Sequence, residues 1–240
     1  MMLQVLTPVE MKSPVCIELP LSKSISNRML IMRHLAKSKL TVPLSESNDT
    51  RILEHLLLDI ENHPQKRHYD ARDAGTVFRF LAAVLAITPG EHMLTGTGRM
   101  LQRPIKPLVD GLNELMANIQ YQQKAGFPPL LIKGKKLNGG AIELDSSLSS
   151  QFGSALMMIG PCLPKGLTIK LKGKIVSEPY LKLTASLMRM QGYTIELNDD
   201  IVSVPPGPLL FRQPYSEGDW SSASYWYALC SFMAGAGSCI

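Results

Sequence analysis

One arrangement, in which small polar residues open an apolar helix, recurs along the chain and limits the folds that this sequence can adopt. The three starts lie at Ser22 and Ser24, at Gly75 and Thr76, and at Ser149 and Ser150. After each start, the residue pattern predicts a helix, a strand, a second helix and a pair of strands. The period, about 60 to 70 residues, is longer than that of ordinary solenoid repeats. The sequence therefore predicts an α/β protein built from three related units.

The predicted elements alternate along the whole chain. Strands are expected at residues 3–9, 15–19, 40–44, 92–96, 119–122, 129–133, 141–144, 167–171, 193–197 and 201–204, with a loop or an edge strand at 63–72. Helices are expected over about 24–37, from 48 with Asp49 as a candidate cap, over 73–85, from 103 with Pro104 in the first turn, from 149, over 178–190 and over 225–232.

A fourth start, at residues 218–224, leads into the last predicted helix. The sequence then stops at Ile240, soon after a Gly-rich turn, where the earlier units enter their next strand. We therefore expect this sequence to be the amino-terminal portion of a longer protein.

Residues 19–28 combine cations, hydroxyl groups and a helix start in one short stretch. Ser22 or Ser24 stands where an N-cap belongs, and Lys23 and Arg28 lie beside it. Because a helix N-terminus has unpaired N–H groups and a partial positive charge, this stretch predicts a binding site for a phosphate or a carboxylate. The alternative is an ordinary capped surface helix with two solvated cations.

The charge and composition argue against several classes of protein. Lys and Arg total 25 against 20 Asp and Glu, but the cations are scattered, so nucleic acid is a weak interpretation and small anionic substrates account for the excess. The four cysteines and five histidines show no paired metal spacing. The N-terminus has no signal-peptide pattern and no apolar run is long enough to cross a bilayer, which predicts a cytoplasmic protein.

Six short strings of residues follow one another over nearly the whole chain. They are L-P-L-S-K-S-I-S-N-R, D-A-G-T-V-F-R-F, L-Q-R-P-I-K-P-L-V-D-G-L, S-S-Q-F-G-S-A-L, V-S-E-P-Y and E-G-D-W-S-S-A-S-Y. Each string alone is a weak signal, whereas six in this order and spacing are a strong one. Together they resemble the 5-enolpyruvylshikimate-3-phosphate synthases of the enolpyruvyl transferase family.

The resemblance implies an inside-out α/β barrel domain, built from three βαβαββ units about a pseudo-threefold axis and paired with a second domain of the same kind. Helix N-termini would point at the cleft between the domains. Residues 1–19 would contribute strands to the second domain, residues 20–212 would form the first domain, and residues 213–240 would be the truncated start of the second.

The resemblance also implies a reaction. The enolpyruvyl group of phosphoenolpyruvate would be transferred to the 5-hydroxyl of shikimate 3-phosphate, with release of phosphate, in the shikimate pathway of aromatic amino acid biosynthesis. No cofactor, metal, nucleic acid or membrane is implied, and the full-length protein would be a monomer. The two substrates bring about five negative charges at neutral pH, so their site must offset charge.

Carried over motif by motif, the resemblance assigns roles to individual residues. Lys23 would touch both substrates and Gln151 would bridge them, and these are the two expected catalytic residues. The other contacts to shikimate 3-phosphate would come from Ser24, Arg28, Ser149, Ser150, Ser177 and Tyr180. The other contacts to phosphoenolpyruvate would come from Gly75, Thr76 and Arg103.

Three residues depart from the pattern of the family. Leu21 stands where a Gly is usual and would be strained in a left-handed conformation. Asp73 replaces a common Asn and adds negative charge beside the expected anion pocket, unless an arginine pairs with it. Phe80 replaces a frequent Pro, which puts the positions of Gly75 and Thr76 in question. The acidic residues and further cations that the family takes from its second domain are not in these 240 residues.

Two other functions remain open at this point. UDP-N-acetylglucosamine enolpyruvyl transferase shares the fold, but the early Lys-Asn pair and the loop Cys of that family have no match here. A non-catalytic anion-binding module that kept one domain of the fold is the other alternative.

Overall fold

Two four-stranded sheets with the same strand order form the framework of the protein. The computed structural model describes residues 16–174 and 176–232. The helices are α1 (Lys23–Leu35), α2 (Asn48–Asn62), α3 (Gly75–Ile87), α4 (Gly98–Leu101), α5 (Lys106–Glu114), α6 (Ser150–Ile159), α7 (Glu178–Met190) and α8 (Trp220–Phe232). The strands are β1 (His68–Asp70), β2 (Gly90–Thr95), β3 (Asn118–Tyr121), β4 (Leu130–Gly134), β5 (Gly140–Asp145), β6 (Leu167–Lys172), β7 (Glu196–Asn198) and β8 (Ile201–Val204).

Each sheet belongs to one complete βαβαββ unit. The order in the first sheet is β1-β2-β4-β3, with β1 parallel to β2 and β4 antiparallel to both of its neighbours. The second sheet repeats this pattern as β5-β6-β8-β7. The predicted repetition is confirmed for these two of the three predicted units. Residues 68–70 form an edge strand, which was one of the two predictions for that segment. Each unit, however, begins one strand earlier than the sequence pattern indicated, because β1 and β5 precede the buried helices α3 and α6.

The helices α1, α3 and α6 fill the centre of the protein, and their side chains are buried on nearly every face. They meet in their second turns. The Arg28 guanidinium on α1 bonds the Ser154 hydroxyl on α6 (3.1 Å) and lies 5.4 Å from the ring centre of Phe80 on α3. The second turns of the three helices therefore lie close together, and the first turns of α3 and α6 are joined as well, because Gln151 Nε2 donates to Thr76 Oγ1 (2.9 Å).

The amino-terminal unit contributes α1 and α2, and residues 16–67 contain no strand. The predicted strand at residues 40–44 is therefore wrong. Pro43 has no N–H group, and the Ser45 N–H donates to the Ser26 hydroxyl of α1 (2.9 Å) instead of to a neighbouring strand. Residues 16–19 of the predicted strand 15–19 also form no strand, and the predicted strand at 3–9 lies outside the described residues.

Two predicted helix starts are corrected by the structure. The N-cap of α2 is Ser47, whose hydroxyl accepts a hydrogen bond from the Thr50 N–H (3.3 Å), so Asp49 lies within the first turn. The helix predicted from residue 103 begins at Lys106, because the short helix α4 ends just before it and the Arg103 N–H is used by the Met100 carbonyl.

Two segments of the chain run side by side where α1 and α8 begin. Leu21 and Gly218 form an antiparallel bridge, which the Ser22 N–H strengthens by donating to the Glu217 carbonyl (2.9 Å) and the Asp219 N–H by donating to the Pro20 carbonyl (2.8 Å). Leu21 thus has an extended backbone and is not among the residues with positive φ, so the left-handed strain that a departure from Gly would cause does not arise.

Because His92 on β2 is buried, we expect acid to destabilise the fold. His92 is 2% exposed, its Nε2 lies 3.0 Å from the Thr88 carbonyl oxygen, and burial holds its pKa below the ordinary value. As the pH falls below about 6.5 the unfolded chain takes up a proton that the folded chain does not, so stability falls by at most about 1.4 kcal/mol per pH unit. We expect His92→Gln to reduce this slope in urea unfolding measured between pH 5 and 8. His68→Gln, at an exposed histidine, is the control, and equal slopes in wild type and His92→Gln would contradict the prediction.

Candidate active site

The predicted phosphoenolpyruvate contacts come together where α3 and α6 begin. The Gln151 amide donates from Nε2 to Thr76 Oγ1 (2.9 Å), and its Oε1 accepts a hydrogen bond from Arg79 Nη1 (3.0 Å). Arg103 reaches the same place from the turn before α5. A Cβ atom at Gly75 would overlap the guanidinium groups of Arg103 and Arg79, so the absence of a side chain lets both arginines approach the N-terminus of α3.

The two guanidinium groups have no carboxylate between them. Within the residues that the structure describes, neither Arg79 nor Arg103 forms an ion pair, and Arg72 pairs with Asp70 (3.4 Å). The Asp73 carboxylate is exposed, and only its backbone carbonyl lies near Arg103 (3.5 Å), so none of the three arginines neutralises it. Burial, and then the charge of Arg103, lower the pKa of Arg79 to about 10, which leaves it charged at neutral pH. Two cations at a helix N-terminus form a site for an anion.

Arg28 is 2% exposed and is held by three elements of the fold. Its Nε donates to Thr184 Oγ1 (2.7 Å), and its Nη1 donates to the Ser24 carbonyl (2.8 Å). Its Nη2 donates to Ser154 Oγ (3.1 Å) and, at 3.5 Å, to the Tyr180 carbonyl. A guanidinium has five N–H donors, so about one of them is left for a ligand. Burial lowers the pKa of Arg28 to about 10, and it remains a cation.

Two aromatic rings enclose the Arg28 guanidinium. The ring centres of Phe80 and Tyr180 lie 5.4 Å and 5.8 Å from its central carbon, within the range of a cation–π contact. Phe80 therefore has a definite place in the site, although it departs from the pattern of the family. The helix α3 runs unbroken from Gly75, so Phe80 does not displace Gly75 or Thr76.

Lys23 lies at the edge of the site. Its ammonium group is 3.3 Å from the Asp49 carboxylate, and the Lys23 side chain is about half exposed. Asp49 occupies the first turn of α2, where the helix dipole favours a carboxylate. Ser22 takes the N-cap position of α1 without a capping bond from its hydroxyl, and Ser24 is half-buried in the first turn.

The three remaining serines stand at two further helix starts. Ser149 caps α6, since its hydroxyl accepts a hydrogen bond from the Gln151 N–H (3.2 Å), and Ser150 is buried beside it. Ser177 is the N-cap residue of α7 in a left-handed conformation (φ 60°), and it is exposed. The Val176 N–H donates to the Ser146 carbonyl (3.2 Å), which ties the start of α7 to the chain that leads into α6.

The predicted residues thus fall into two connected groups and a rim. Hydrogen bonds or close approach join Gly75, Thr76, Gln151 and Arg103 in one group, and Ser24, Arg28 and Tyr180 in the other. Among the described residues, the side chains of Lys23 and Ser177 make no bond to either group, and Ser149 reaches only the backbone of Gln151. These three residues form the rim, and Ser150, which belongs to neither group, is buried at the start of α6.

Sequence reasoning did not identify Arg79, Ser154 or Thr184 as site residues. The sequence does mark Arg79 as unusual, because Arg79 is the one charged residue in the strongly apolar helix α3. Ser154 and Thr184 carried no such signal, since small hydroxyl residues are common inside helices and only the position of Arg28 gives these two a role.

Residues 16–174 and 176–232 contain neither a metal-binding cluster nor a membrane-spanning helix. No group of three or more His, Cys, Asp or Glu side chains there is arranged to hold a metal ion. No helix in that part of the chain has both the length and the apolar character needed to span a membrane.

The βαβαββ units and the cationic helix starts define an enolpyruvyl transferase domain. EPSP synthase from Acinetobacter baumannii has the same fold: the superposition covers 81% of this chain and 48% of that one, with a TM-score of 0.67 at 20% identity. A second structure of EPSP synthase from that organism gives a TM-score of 0.66. The sequence model of EPSP synthase (3-phosphoshikimate 1-carboxyvinyltransferase) matches residues 43–236. The chain belongs to this family, which confirms the resemblance carried by the six strings.

Curated relatives extend well beyond the matched region. The chain is 46% identical over 218 residues to the 3-phosphoshikimate 1-carboxyvinyltransferase of Bacteroides fragilis, which covers 90% of this chain and 52% of that protein. It is 38% identical over 250 residues to the protein of the same name from Shewanella loihica, with 91% and 57% covered. The chain spans about half the length of the curated relatives it matches.

Gly75→Ala tests whether the space beside α3 belongs to a ligand site. The new methyl group must displace Arg103, which is half-buried, and press on Arg79, which is buried, so we expect a stability loss of about 1 to 3 kcal/mol. In a protein that extends this chain to the length of its relatives, the KM for phosphoenolpyruvate should rise at least about tenfold, while that for shikimate 3-phosphate changes little.

Gly98→Ala is the matched control, because a Cβ atom at Gly98 has nothing within 4 Å. Steady-state kinetics with each substrate varied in turn gives both KM values. An equal rise in the two KM values would count against the assignment of Gly75 to the phosphoenolpyruvate pocket.

Proposed function

We propose that the protein carrying this chain transfers the enolpyruvyl group of phosphoenolpyruvate to the 5-hydroxyl of shikimate 3-phosphate and releases phosphate. The observation that carries the proposal is the unbalanced charge of Arg28, Arg79 and Arg103. Arg79 and Arg103 flank the start of α3, and Arg28 lies in the second turn of α1. Within the described residues, none of the three has a carboxylate partner. A site with this charge is suited to two substrates that bring about five negative charges. The names of the relatives support the same reaction.

The proposed chemistry has two steps. The 5-hydroxyl oxygen bonds to C2 of phosphoenolpyruvate while C3 takes up a proton and the hydroxyl proton is lost, which gives a tetrahedral ketal phosphate. The bond from C2 to the phosphate oxygen then breaks, inorganic phosphate leaves, and C3 gives up a proton to restore the double bond. The cations, hydroxyls and amide of this chain would stabilise the charge that develops on the phosphate and carboxylate oxygens.

Each group of residues has a part in this proposal. The phosphate of shikimate 3-phosphate would bind at the starts of α6 and α7, on Ser149, Ser150 and Ser177. Its ring and carboxylate would lie against Ser24, Arg28 and Tyr180. Phosphoenolpyruvate would lie on Gly75, Thr76 and Arg103, and Lys23 and Gln151 would contact both substrates.

Residues 213–240 are proposed to begin a second domain, with residues 1–19 adding strands to it and residues 20–212 forming the first. The helix α8 supports this division, because it carries no charged residue and is rich in aromatic residues that are exposed, with Trp220, Tyr225 and Phe232 at 69%, 77% and 86%. A helix of this kind belongs in the core of a larger structure. The paired segments at Leu21 and Gly218 would then be the two connections between the domains.

The proposal places the protein in the cytoplasm as a monomer that acts on two small anions, with no nucleic acid partner. The other enolpyruvyl transfer, to UDP-N-acetylglucosamine, and a module that binds anions without catalysis are separate outcomes of the tests below.

The reaction is tested by phosphate release. We expect a protein that continues this chain to the length of its relatives to release inorganic phosphate only when both phosphoenolpyruvate and shikimate 3-phosphate are present. We expect the 240-residue chain alone to release none above a blank without enzyme, because the family takes its proton-transfer acids from the second domain. Release with UDP-N-acetylglucosamine in place of shikimate 3-phosphate would overturn the proposal, and binding without release by the longer protein would favour the anion-binding module.

The 240-residue chain should still bind shikimate 3-phosphate weakly, because most of the groups assigned to that substrate lie in it. Each charge-assisted hydrogen bond is worth about 1.5 to 3 kcal/mol, so Ser149→Ala/Ser150→Ala should weaken binding more than about tenfold in titration calorimetry. Added salt should weaken it too.

The capping role of Ser149 calls for a control, since losing the cap alone costs about 1 kcal/mol of stability. Ser149→Asp keeps an acceptor for the Gln151 N–H but places a negative charge where the phosphate would bind. We expect this variant to keep the melting temperature of the wild type and to lose affinity. Unchanged affinity in both variants would contradict the assignment of these serines.

A further inference from the structure

Arg79 lies between three substrate-binding segments without reaching the open site itself. It is 4% exposed. Its Nη1 donates to the Gly75 carbonyl and to Gln151 Oε1, both at 3.0 Å, and its Nη2 donates to the Pro104 carbonyl (3.3 Å). One side chain therefore ties the start of α3, the start of α6 and the turn that carries Arg103.

The rest of the guanidinium is closed off by protein. Its central carbon stands 5.1 Å from the ring centre of Phe152, and its Nε is buried with no partner in the described part of the chain. A buried cation without a carboxylate is costly to keep. A leucine or methionine would fill this position with a smaller desolvation cost. Packing therefore does not explain the hydrogen-bond donors of Arg79.

The contact with Gln151 explains why an arginine occupies this position. A glutamine amide can point either way, and each orientation offers a different group to a ligand. A reversed amide would set the NH2 group of Gln151 against the N–H groups of Arg79, donor against donor. With Oε1 on Arg79 and Nε2 on Thr76 Oγ1, the second N–H of Nε2 has no partner among the described residues and is left for a ligand. An anionic substrate requires a donor at this place.

We propose that Arg79 is a positioning residue that fixes the amide of Gln151 so that it presents an N–H group, and not its oxygen, to the substrates. This inference rests on the proposed function for its consequence in catalysis, but the orientation itself can be tested without any substrate. Arg79 also holds the Gly75 carbonyl and the Pro104 carbonyl, so the donor of Gln151 and the cation of Arg103 are placed relative to each other by the same group.

The first test observes the amide directly by NMR in the 15N-labelled 240-residue chain. The side-chain NH2 signals of Gln151 are assigned from their loss in Gln151→Met. In the wild type we expect the two proton signals to lie away from the positions of a free glutamine and to exchange slowly with solvent, because Oε1 accepts from Arg79 and Nε2 donates to Thr76 Oγ1. In Arg79→Met the two signals should move towards those of a free glutamine.

Two further variants keep this test decisive. Arg79→Lys retains the charge but lacks the planar fork, so it should fold and still lose the wild-type amide signals. Arg189→Met is the control, because within the described residues Arg189 donates only to the carbonyl of Ile195, which lies just beyond the C-terminus of α7. Gln151 amide signals at the positions of a free glutamine in the wild type, or wild-type signals in either folded Arg79 variant, would overturn the proposal.

The second test is a double-mutant cycle in the catalytically active, longer protein. Arg79→Met should raise the KM for phosphoenolpyruvate at least about tenfold. If Arg79 acts through Gln151, the same change made in Gln151→Ala should add less than about twofold. A purely structural role would give the same loss in both backgrounds and would overturn the proposal.

The two proposals fail in different ways. If the wild-type protein does not catalyse enolpyruvyl transfer, the proposed function is contradicted. The NMR result then decides by itself whether Arg79 orients Gln151. A wild-type protein that catalyses the reaction, combined with additive losses in the cycle, would retain the function and remove the positioning role.

Discussion

The buried guanidinium of Arg28 is the interaction on which the arrangement of the domain depends. It bonds Ser154 on α6 and Thr184 on α7 and lies beside Phe80 on α3, so one side chain of α1 joins elements of all three units. A charge taken out of water must be offset by several well-placed bonds, and these bonds form only when the helices pack at one particular depth. The second turns of α1, α3 and α6 are therefore held close together.

That packing concentrates positive charge. Arg79 and Arg103 flank Gly75, and Arg28 lies one turn inside the neighbouring helix, while the only carboxylate paired with a predicted site cation in the described residues is Asp49 on Lys23. Such a site is less stable by itself than one with balanced charges, and a bound anion restores the balance. Because the fold keeps this unbalanced positive charge, we infer that the site binds anionic ligands.

Much of this followed from the sequence where local rules apply. The apolar runs after Ser22, Gly75 and Ser149 predicted the three central helices, and alternating residues predicted most strands of the two sheets. The errors occurred where a tertiary contact overrides the local pattern. Residues 40–44 have the composition of a strand, but Pro43 lacks an N–H group and the Ser45 N–H bonds Ser26, and no strand in the described part of the chain pairs with them. The start of α5 moved because α4 took up the backbone groups just before it.

The sequence by itself determined that small polar residues stand at the starts of apolar helices, that cations accompany them, and that the motifs belong to one family. These properties reside in short stretches of chain, where spacing along a helix decides which side chains share a face. Only the tertiary structure decided which cations are buried together, that Arg79 holds the amide of Gln151, and that Asp49 rather than a ligand pairs with Lys23. Those contacts join residues far apart in the chain, and their geometry exists only once the three units have packed against one another.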